Sequence, residues 1–253
     1  KFDFFEKSNF CVPILILRKD PQRQKMPLTI PFSQQRSGTW RGGQVNEIFR
    51  DPPKADYPNG EYRLWVGTAT IERAAEYSHF ANAERLHILL DGGGLALRFR
   101  EPEETISLAT GEWHTFAGDR PLQAVPAGDP VFAFNLIYRQ GQRSGAQSGA
   151  QSGAQSGAQS GAQSGVRFVT AAEMPVVLPA PAASARLTQI VYGVAGESYV
   201  ESSQGSFLLR AGDTLIYPPA ESAETSLRLI SHSPDAWLLL AHVLEPDQPT
   251  TSA

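Results

Sequence analysis

The sequence has little of what several protein classes require. Cys11 is the single cysteine among 253 residues, which excludes an internal disulfide framework and fits a reducing compartment. The net charge is only −4 and no basic stripe is present, so we expect no nucleic-acid partner. The apolar run at residues 12–17 contains a proline and is far too short to span a bilayer. We therefore predict neither a signal peptide nor a membrane anchor, and we expect a cytoplasmic protein.

Motifs of common catalytic sites are also missing. No Gly-x-Ser-x-Gly motif is present to place a nucleophilic serine. The glycine-rich stretch at residues 91–94 lacks the Lys-Ser/Thr pair and the helix that a phosphate-binding loop needs. No His-x-His pair occurs among the five histidines. We therefore predict no catalytic residue and no cofactor, and whether the protein is an enzyme stays open, with binding favoured over turnover.

What the sequence does contain is the pattern of β-strands. Residues 85–99 predict a β-hairpin: Leu86, Ile88 and Leu90 alternate on one arm, and Asp-Gly-Gly-Gly supplies turn residues that tolerate positive φ. Residues 131–139 are apolar on both faces and predict a central strand. The expected fold class is all-β, with little helix.

Two halves of the chain share one order of motifs. Leu108-x-x-Gly111-Glu112 followed by an aromatic residue, Phe116, matches Leu209-x-x-Gly212-Asp213 followed by Tyr217. A glycine turn precedes each motif and an apolar strand follows it, which indicates a duplicated antiparallel β unit. In each motif the glycine suits a left-handed turn position and the acid can cap local amides. The repetition therefore indicates fold, not catalysis.

Composition divides the chain into five expected segments. Residues 1–25 show no matching periodicity, so we expect Met26 to be the natural start and the preceding residues to be non-native or disordered. Residues 144–163 are five identical copies of Ser-Gly-Ala-Gln, which cannot offset the entropy of ordering. The predicted segments are 1–25, a first β domain over 26–141, a repeat linker over 142–165, a second β domain over 166–247 and a frayed tail over 248–253.

The order of strands and turns resembles the cupin pattern, and the first half is similar to the HutD/Ves family of bicupins. The residues that carry the resemblance, over roughly residues 36–141, are Thr39-Trp40-Arg41-Gly42-Gly43 with Glu47, Tyr62-Arg63-Leu64, Glu84-Arg85-Leu86 with Leu90 to Leu97, Phe116-Ala117-Gly118-Asp119, and Phe134-Asn135-Leu136. The resemblance implies two tandem cupin-like β-barrels, a weaker match in the second, and a role in histidine utilisation or stress response. Trp65 stands where the family commonly has a small residue, so it would narrow or fill a pocket.

The resemblance also implies a pocket for a small, anionic metabolite in the first barrel. Arginine offers a planar donor fork suited to a carboxylate, and Arg63 and Arg85 lie in otherwise apolar strands. Asn135 lies mid-strand among apolar residues, where a buried amide needs hydrogen-bond partners. The predicted ligand-binding residues are Arg63, Arg85, Asn135, Trp40, Glu47 and Asp119.

Two other readings stay open at this point. His87 and His114 could converge on adjacent strands and, with a carboxylate, hold a metal ion in a cupin enzyme of the dioxygenase or isomerase type. Alternatively, the pocket is filled and the protein is a structural or interaction module. We also expect a small-carboxylate ligand and, as the oligomeric form, a homodimer.

Overall fold

A computed structural model describes residues 27–55, 63–139, 163–178, 186–218 and 226–245, and these are almost entirely β-strand. The first strands are β1 (Leu28–Ile30), β2 (Arg36–Trp40), β3 (Gly43–Asp51), β4 (Leu64–Ile71), β5 (Ala75–Glu76), β6 (Ala83–Asp91), β7 (Leu95–Arg100), β8 (Glu103–Leu108), β9 (Trp113–Ala117), β10 (Leu122–Pro126) and β11 (Val131–Arg139). The later strands are β12 (Gln163–Thr170), β13 (Val176–Leu178), β14 (Arg186–Ala195), β15 (Glu197–Ser202), β16 (Gly205–Arg210), β17 (Thr214–Tyr217), β18 (Leu227–Ser231) and β19 (Trp237–Glu245). Helical structure in the described ranges is limited to short 3-10 turns at Phe32–Gln34 and Ala171–Glu173.

The strands form two similar units, each built from a pair of facing sheets. The first unit has a six-stranded sheet, β2-β3-β4-β11-β6-β9, and a four-stranded sheet, β5-β10-β7-β8. The second has a five-stranded sheet, β1-β17-β14-β19-β12, and a four-stranded sheet, β13-β18-β15-β16. All pairings are antiparallel, which confirms the predicted all-β bicupin class. The predicted central strand, β11, lies between β4 and β6.

The predicted hairpin at residues 85–99 is wrong. Its two arms are β6 and β7, and they belong to different sheets of the first unit. The glycines between them, Gly92 and Gly94, do take positive φ values of 115° and 128°. They turn the chain from one sheet into the other instead of folding it back on itself. A glycine-rich sequence permits either a hairpin or a turn between sheets. The burial of both faces of β6 favours the turn between sheets.

The repeated turn with a glycine and an acid has the same geometry in both units, as predicted. Gly111 and Gly212 both have φ of +87°. The Glu112 carboxylate accepts a hydrogen bond from the Ala109 amide at 2.8 Å, and the Asp213 carboxylate accepts one from the Arg210 amide at 3.1 Å. Local chemistry therefore fixes this turn twice in one chain.

The two faces of the six-stranded sheet have different roles. Even-numbered side chains such as Leu86, Ile88 and Phe134 pack against the second unit, where the Phe134 and Tyr192 ring centroids are 5.3 Å apart. Odd-numbered side chains such as Leu89 point into the first barrel. Arg85 and His87 on β6 and Asn135 on β11 are odd-numbered too, so they lie inside the barrel, and His114 on β9 shares that face because it lies opposite His87.

The start of the described chain joins the second unit. Strand β1 pairs with β17, with Thr29 opposite Leu215. The Phe32 amide donates to Asp213 at 2.9 Å, which ties this segment to the repeated turn of the second unit. The predicted boundaries at residues 26 and 141 stay predictions, but the strand that follows Met26 extends the sheet of the second unit.

Several expectations fall outside the described residues. These are the extension over 1–25, the repeat over 144–162 and the tail over 248–253. In the ranges that are described, no helix combines the length and the apolar character needed to cross a membrane.

The repeated turn gives a matched pair of stability predictions. We expect Gly111→Ala to lower the free energy of unfolding by about 1–2 kcal/mol, because the left-handed conformation is unfavourable for a residue with a Cβ. A Cβ at Gly111 meets nothing within 4 Å, whereas one at Gly212 would lie 2.8 Å from the Phe32 ring. Gly212→Ala should therefore lower the free energy of unfolding by more than Gly111→Ala does. Adding Phe32→Ala to Gly212→Ala should remove this extra loss. Urea unfolding of the three variants measures this; equal losses for the two single variants would contradict it.

Candidate functional site

A small cavity lies inside the first barrel, between strands of the six-stranded sheet and the segment after β5. Its volume is about 30 Å³. One water needs roughly 10–15 Å³ on this measure, so the cavity has room for about two waters or one molecule of formate size. Its lining residues are Trp40, Val45, Trp65, Ala69, Tyr77, Ser78, Arg85 and Asn135.

Strand register places a row of polar residues across this sheet. Glu47 lies opposite Gly67, which lies opposite Asn135. Asn135 lies opposite His87, which in turn lies opposite His114. Directly opposed residues of antiparallel strands share a face. The row therefore brings polar side chains from four strands, β3, β11, β6 and β9, to one level of the barrel interior.

The Asn135 side chain is the centre of this group. Its Oδ1 atom accepts from Arg85 Nε at 2.9 Å and Arg85 Nη2 at 2.7 Å, and it lies 2.7 Å from His87 Nδ1. A guanidinium only donates, so the amide atom that faces it must be the oxygen. The same oxygen cannot donate to His87, so His87 Nδ1 must carry a proton. Arg85 thereby fixes both the orientation of the amide and the tautomer of the imidazole.

His87 is a neutral imidazole in this environment. It is fully buried, and burial together with the nearby Arg85 charge lowers its pKa to about 3. With Nδ1 protonated, Nε2 is an acceptor, and the Tyr77 hydroxyl lies 3.3 Å from it and donates. Burial raises the pKa of Tyr77, which keeps its proton in place. The hydroxyl, imidazole and amide form one directed chain.

The Arg85 guanidinium is held by aromatic rings as well as by the amide. Its Cζ lies 4.0 Å from the centre of the Tyr77 ring and 5.9 Å from those of Phe80 and Phe116. Such contacts stabilise a cation most when water is excluded, and Arg85 is only 8% exposed. The cavity thus has a fixed positive charge at its wall.

Two tryptophans complete the walls. Trp65 Nε1 donates to Glu47 Oε2 at 2.9 Å, and Arg50 binds the same carboxylate. Trp40 meets the Tyr77 ring edge-on, with centroids 5.4 Å apart. Glu47 therefore acts on the cavity through Trp65, whereas Trp40 lines it directly.

The structure brings some of the predicted binding residues together and leaves others apart. Arg85, Asn135 and Trp40 line the cavity, and Glu47 contacts its wall. Arg63 lies elsewhere: its Nε donates to Asp51 at 2.7 Å, and its side chain is 38% exposed. Asp119 is exposed in the turn after β9. Neither of these two residues is among those that line the cavity.

The two histidines of the alternative metal site are cross-strand partners, as the sequence suggested. Both ring nitrogens of His87 face protein groups, Asn135 and Tyr77. The His114 ring packs between Phe99 and Phe116, with centroid distances of 5.9 and 6.0 Å. Among the residues that the structure describes, no group of three or more His, Cys, Asp or Glu could hold a metal ion.

Sequence reasoning missed Tyr77 and Ser78. Both lie in the segment after β5, which has no regular strand pattern and gave no periodic signal. It also did not foresee that His87 and Asn135 share a hydrogen bond. Their separation of 48 residues carries no local signal, and only the β6–β11 register brings them together.

Several solved structures share this fold over most of their length. A conserved protein of unknown function from Pseudomonas aeruginosa matches with a TM-score of 0.65 and 20% identity, over 86% of this chain and 98% of that one. HutD from Pseudomonas fluorescens, solved in a formate condition, matches with a TM-score of 0.60 and 19% identity, over 87% and 99%. A formate complex of Lactobacillus farciminis oxalate decarboxylase matches with a TM-score of 0.57 and 11% identity, over 87% and 86%. These likenesses show a shared fold.

The sequence itself gives the family. No curated protein matches it significantly. The HutD family model matches residues 33–230, which span most of both units and all of the described cavity. That match confirms the resemblance carried by the motifs around Trp40, Arg85 and Asn135. The chain belongs to the HutD family.

Proposed function

We propose that the first barrel binds one small carboxylate, of about the size of formate, and that the protein acts by binding it without turnover. The observation that carries this proposal is the orientation of Asn135. Its oxygen accepts from Arg85 and His87, so its amide nitrogen is turned the other way. The side-chain contacts of Asn135 with Arg85 and His87 all involve the oxygen, and Asn135 is only 2% exposed and lines the cavity. An anion in the cavity would accept from the amide nitrogen.

The charge of the cavity also favours an anion. Arg85 is a permanent cation at the wall. None of the eight described residues that line the cavity is acidic. An interaction with Arg85 is stronger in this buried setting than in water. The pocket therefore selects for negative charge and for small size.

The relatives support the choice of formate as the first ligand to test. HutD from Pseudomonas fluorescens was solved in a formate condition, and the oxalate decarboxylase of the same fold is a formate complex. A pocket that binds without turnover would suit a protein that senses a metabolite. We propose that this chain is such a sensor and acts as a regulator in histidine utilisation or stress response.

We expect Asn135→Asp to weaken formate binding at least tenfold while the protein stays folded. The aspartate keeps an oxygen that accepts from Arg85 and His87, but it replaces the amide donor with a negative charge. Loss of one hydrogen bond to a charged group costs about 1.5–3 kcal/mol, so affinity should fall at least tenfold. Isothermal titration calorimetry with sodium formate measures this.

Two variants serve as controls for that experiment. Arg85→Met should also weaken binding, because it removes the cation. Arg63→Met removes another arginine that the sequence places beside apolar strand residues. The Arg63 guanidinium binds Asp51, so this variant should leave formate affinity unchanged. A formate affinity that falls less than tenfold in Asn135→Asp, or that falls equally in Arg63→Met, would contradict the proposal.

The neutral state of His87 predicts how stability depends on pH. Its native pKa is lowered to about 3, whereas an unfolded histidine titrates near its ordinary 6.5. The unfolded chain therefore binds the proton first, and stability is lost as pH falls from about 6.5 towards 3. His87→Gln should flatten the loss between pH 7 and pH 5 in urea unfolding. The exposed His232→Gln is the control, and identical slopes for wild type and His87→Gln would refute the assignment.

A further inference from the structure

We infer that Trp65 sets the size limit of the ligand, so that the pocket accepts carboxylates with one or two carbons and excludes longer ones. This inference rests on the proposed function, because it concerns the same pocket. Trp65 is the second residue of β4, it is only 3% exposed, and its side chain lines the cavity.

The position of the indole relative to the ligand-binding groups follows from the register. Trp65 lies opposite Ile137, which lies opposite Arg85. Two residues further along β4, Gly67 lies opposite Asn135. Trp65 therefore stands in the row of Arg85 and borders the row of Asn135. A substituent that extends from a bound carboxylate towards the Trp65 end of β4 meets the indole.

Gly67 makes room for the ring. A Cβ at Gly67 would lie 2.3 Å from Trp65 Cη2 and 2.8 Å from Cζ2. Real atoms do not approach so closely, so the indole occupies the volume in which any larger residue at position 67 would place its side chain. The ring thereby covers the barrel interior beside Asn135. The space that is left is the cavity of about 30 Å³.

The indole is also held in one orientation. Trp65 Nε1 donates to Glu47, whose carboxylate is in turn bound by Arg50 Nε at 2.9 Å. On its other side the ring packs with Phe80 and Ile137 in a small apolar cluster. A side chain fixed both by packing and by a hydrogen bond acts as a wall and not as a gate. The limit on ligand size should therefore be steep.

The inference predicts a preference that a single series of acids reveals. Formate, acetate, propionate and butyrate carry the same carboxylate and differ only in the length of the alkyl chain. Calorimetry on the wild-type protein should show affinity falling at least tenfold from acetate to butyrate. Trp65→Leu should bind butyrate at least tenfold more tightly than wild type does, so that the ratio of butyrate to formate affinity rises.

Further variants keep the test decisive. Trp65→Phe is a milder change that preserves an apolar ring, and it should relax the limit in the same direction if Trp65→Leu folds poorly. Trp237→Leu is the matched control, because Trp237 packs against Phe168 in the second unit, and it should keep the wild-type preference.

The failures are distinguishable. If formate binds wild type but butyrate binds it as tightly, or if both Trp65 variants keep the wild-type preference, the size limit is wrong and the carboxylate site stands. If no acid binds wild type at all, both the proposed function and this inference are overturned.

Discussion

The site depends on one buried acceptor, the Oδ1 atom of Asn135. It takes hydrogen bonds from a guanidinium and an imidazole, and both donors would be costly to bury without a partner. Because both donors use the oxygen, the amide nitrogen of Asn135 is turned away from them. The proton on His87 and the direction of the Tyr77 hydroxyl follow from the same contact. The pocket therefore presents hydrogen-bond donors in fixed orientations beside the positive charge of Arg85.

The chain forms two similar units, but among the described residues the hydrogen-bonded group of Asn135, Arg85 and His87 has no counterpart at the matching register of the second unit. The Gly111 amide donates to the Leu89 carbonyl, and in the second unit the Gly212 amide donates to the Gly193 carbonyl. Counting two residues back along each strand makes Val191 the counterpart of His87, and Val191 lies opposite Leu240 where His87 lies opposite Asn135. At this level the second barrel contains an apolar cluster, whereas the first contains polar side chains.

Local chemistry made much of the fold predictable from sequence. The sequence predicts the Gly-acid turns and the central strand β11 correctly, because turn residues and a continuous apolar run act over a few positions. The hairpin predicted at residues 91–94 is wrong, since glycines allow a turn from one sheet to the other as readily as a hairpin. Arg63 and Arg85 looked alike in sequence, but Asp51 binds one and Asn135 the other. Choosing between them, and finding Tyr77, required contacts between strands distant in sequence.

The most direct test of the account is a crystal structure of the protein grown with formate. The account predicts one formate in the first barrel, with its oxygens within hydrogen-bond distance of Asn135 Nδ2 and beside the Arg85 guanidinium. The Asn135 oxygen should still face Arg85 and His87. An empty first barrel, or an amide turned the other way with formate bound elsewhere, would contradict it.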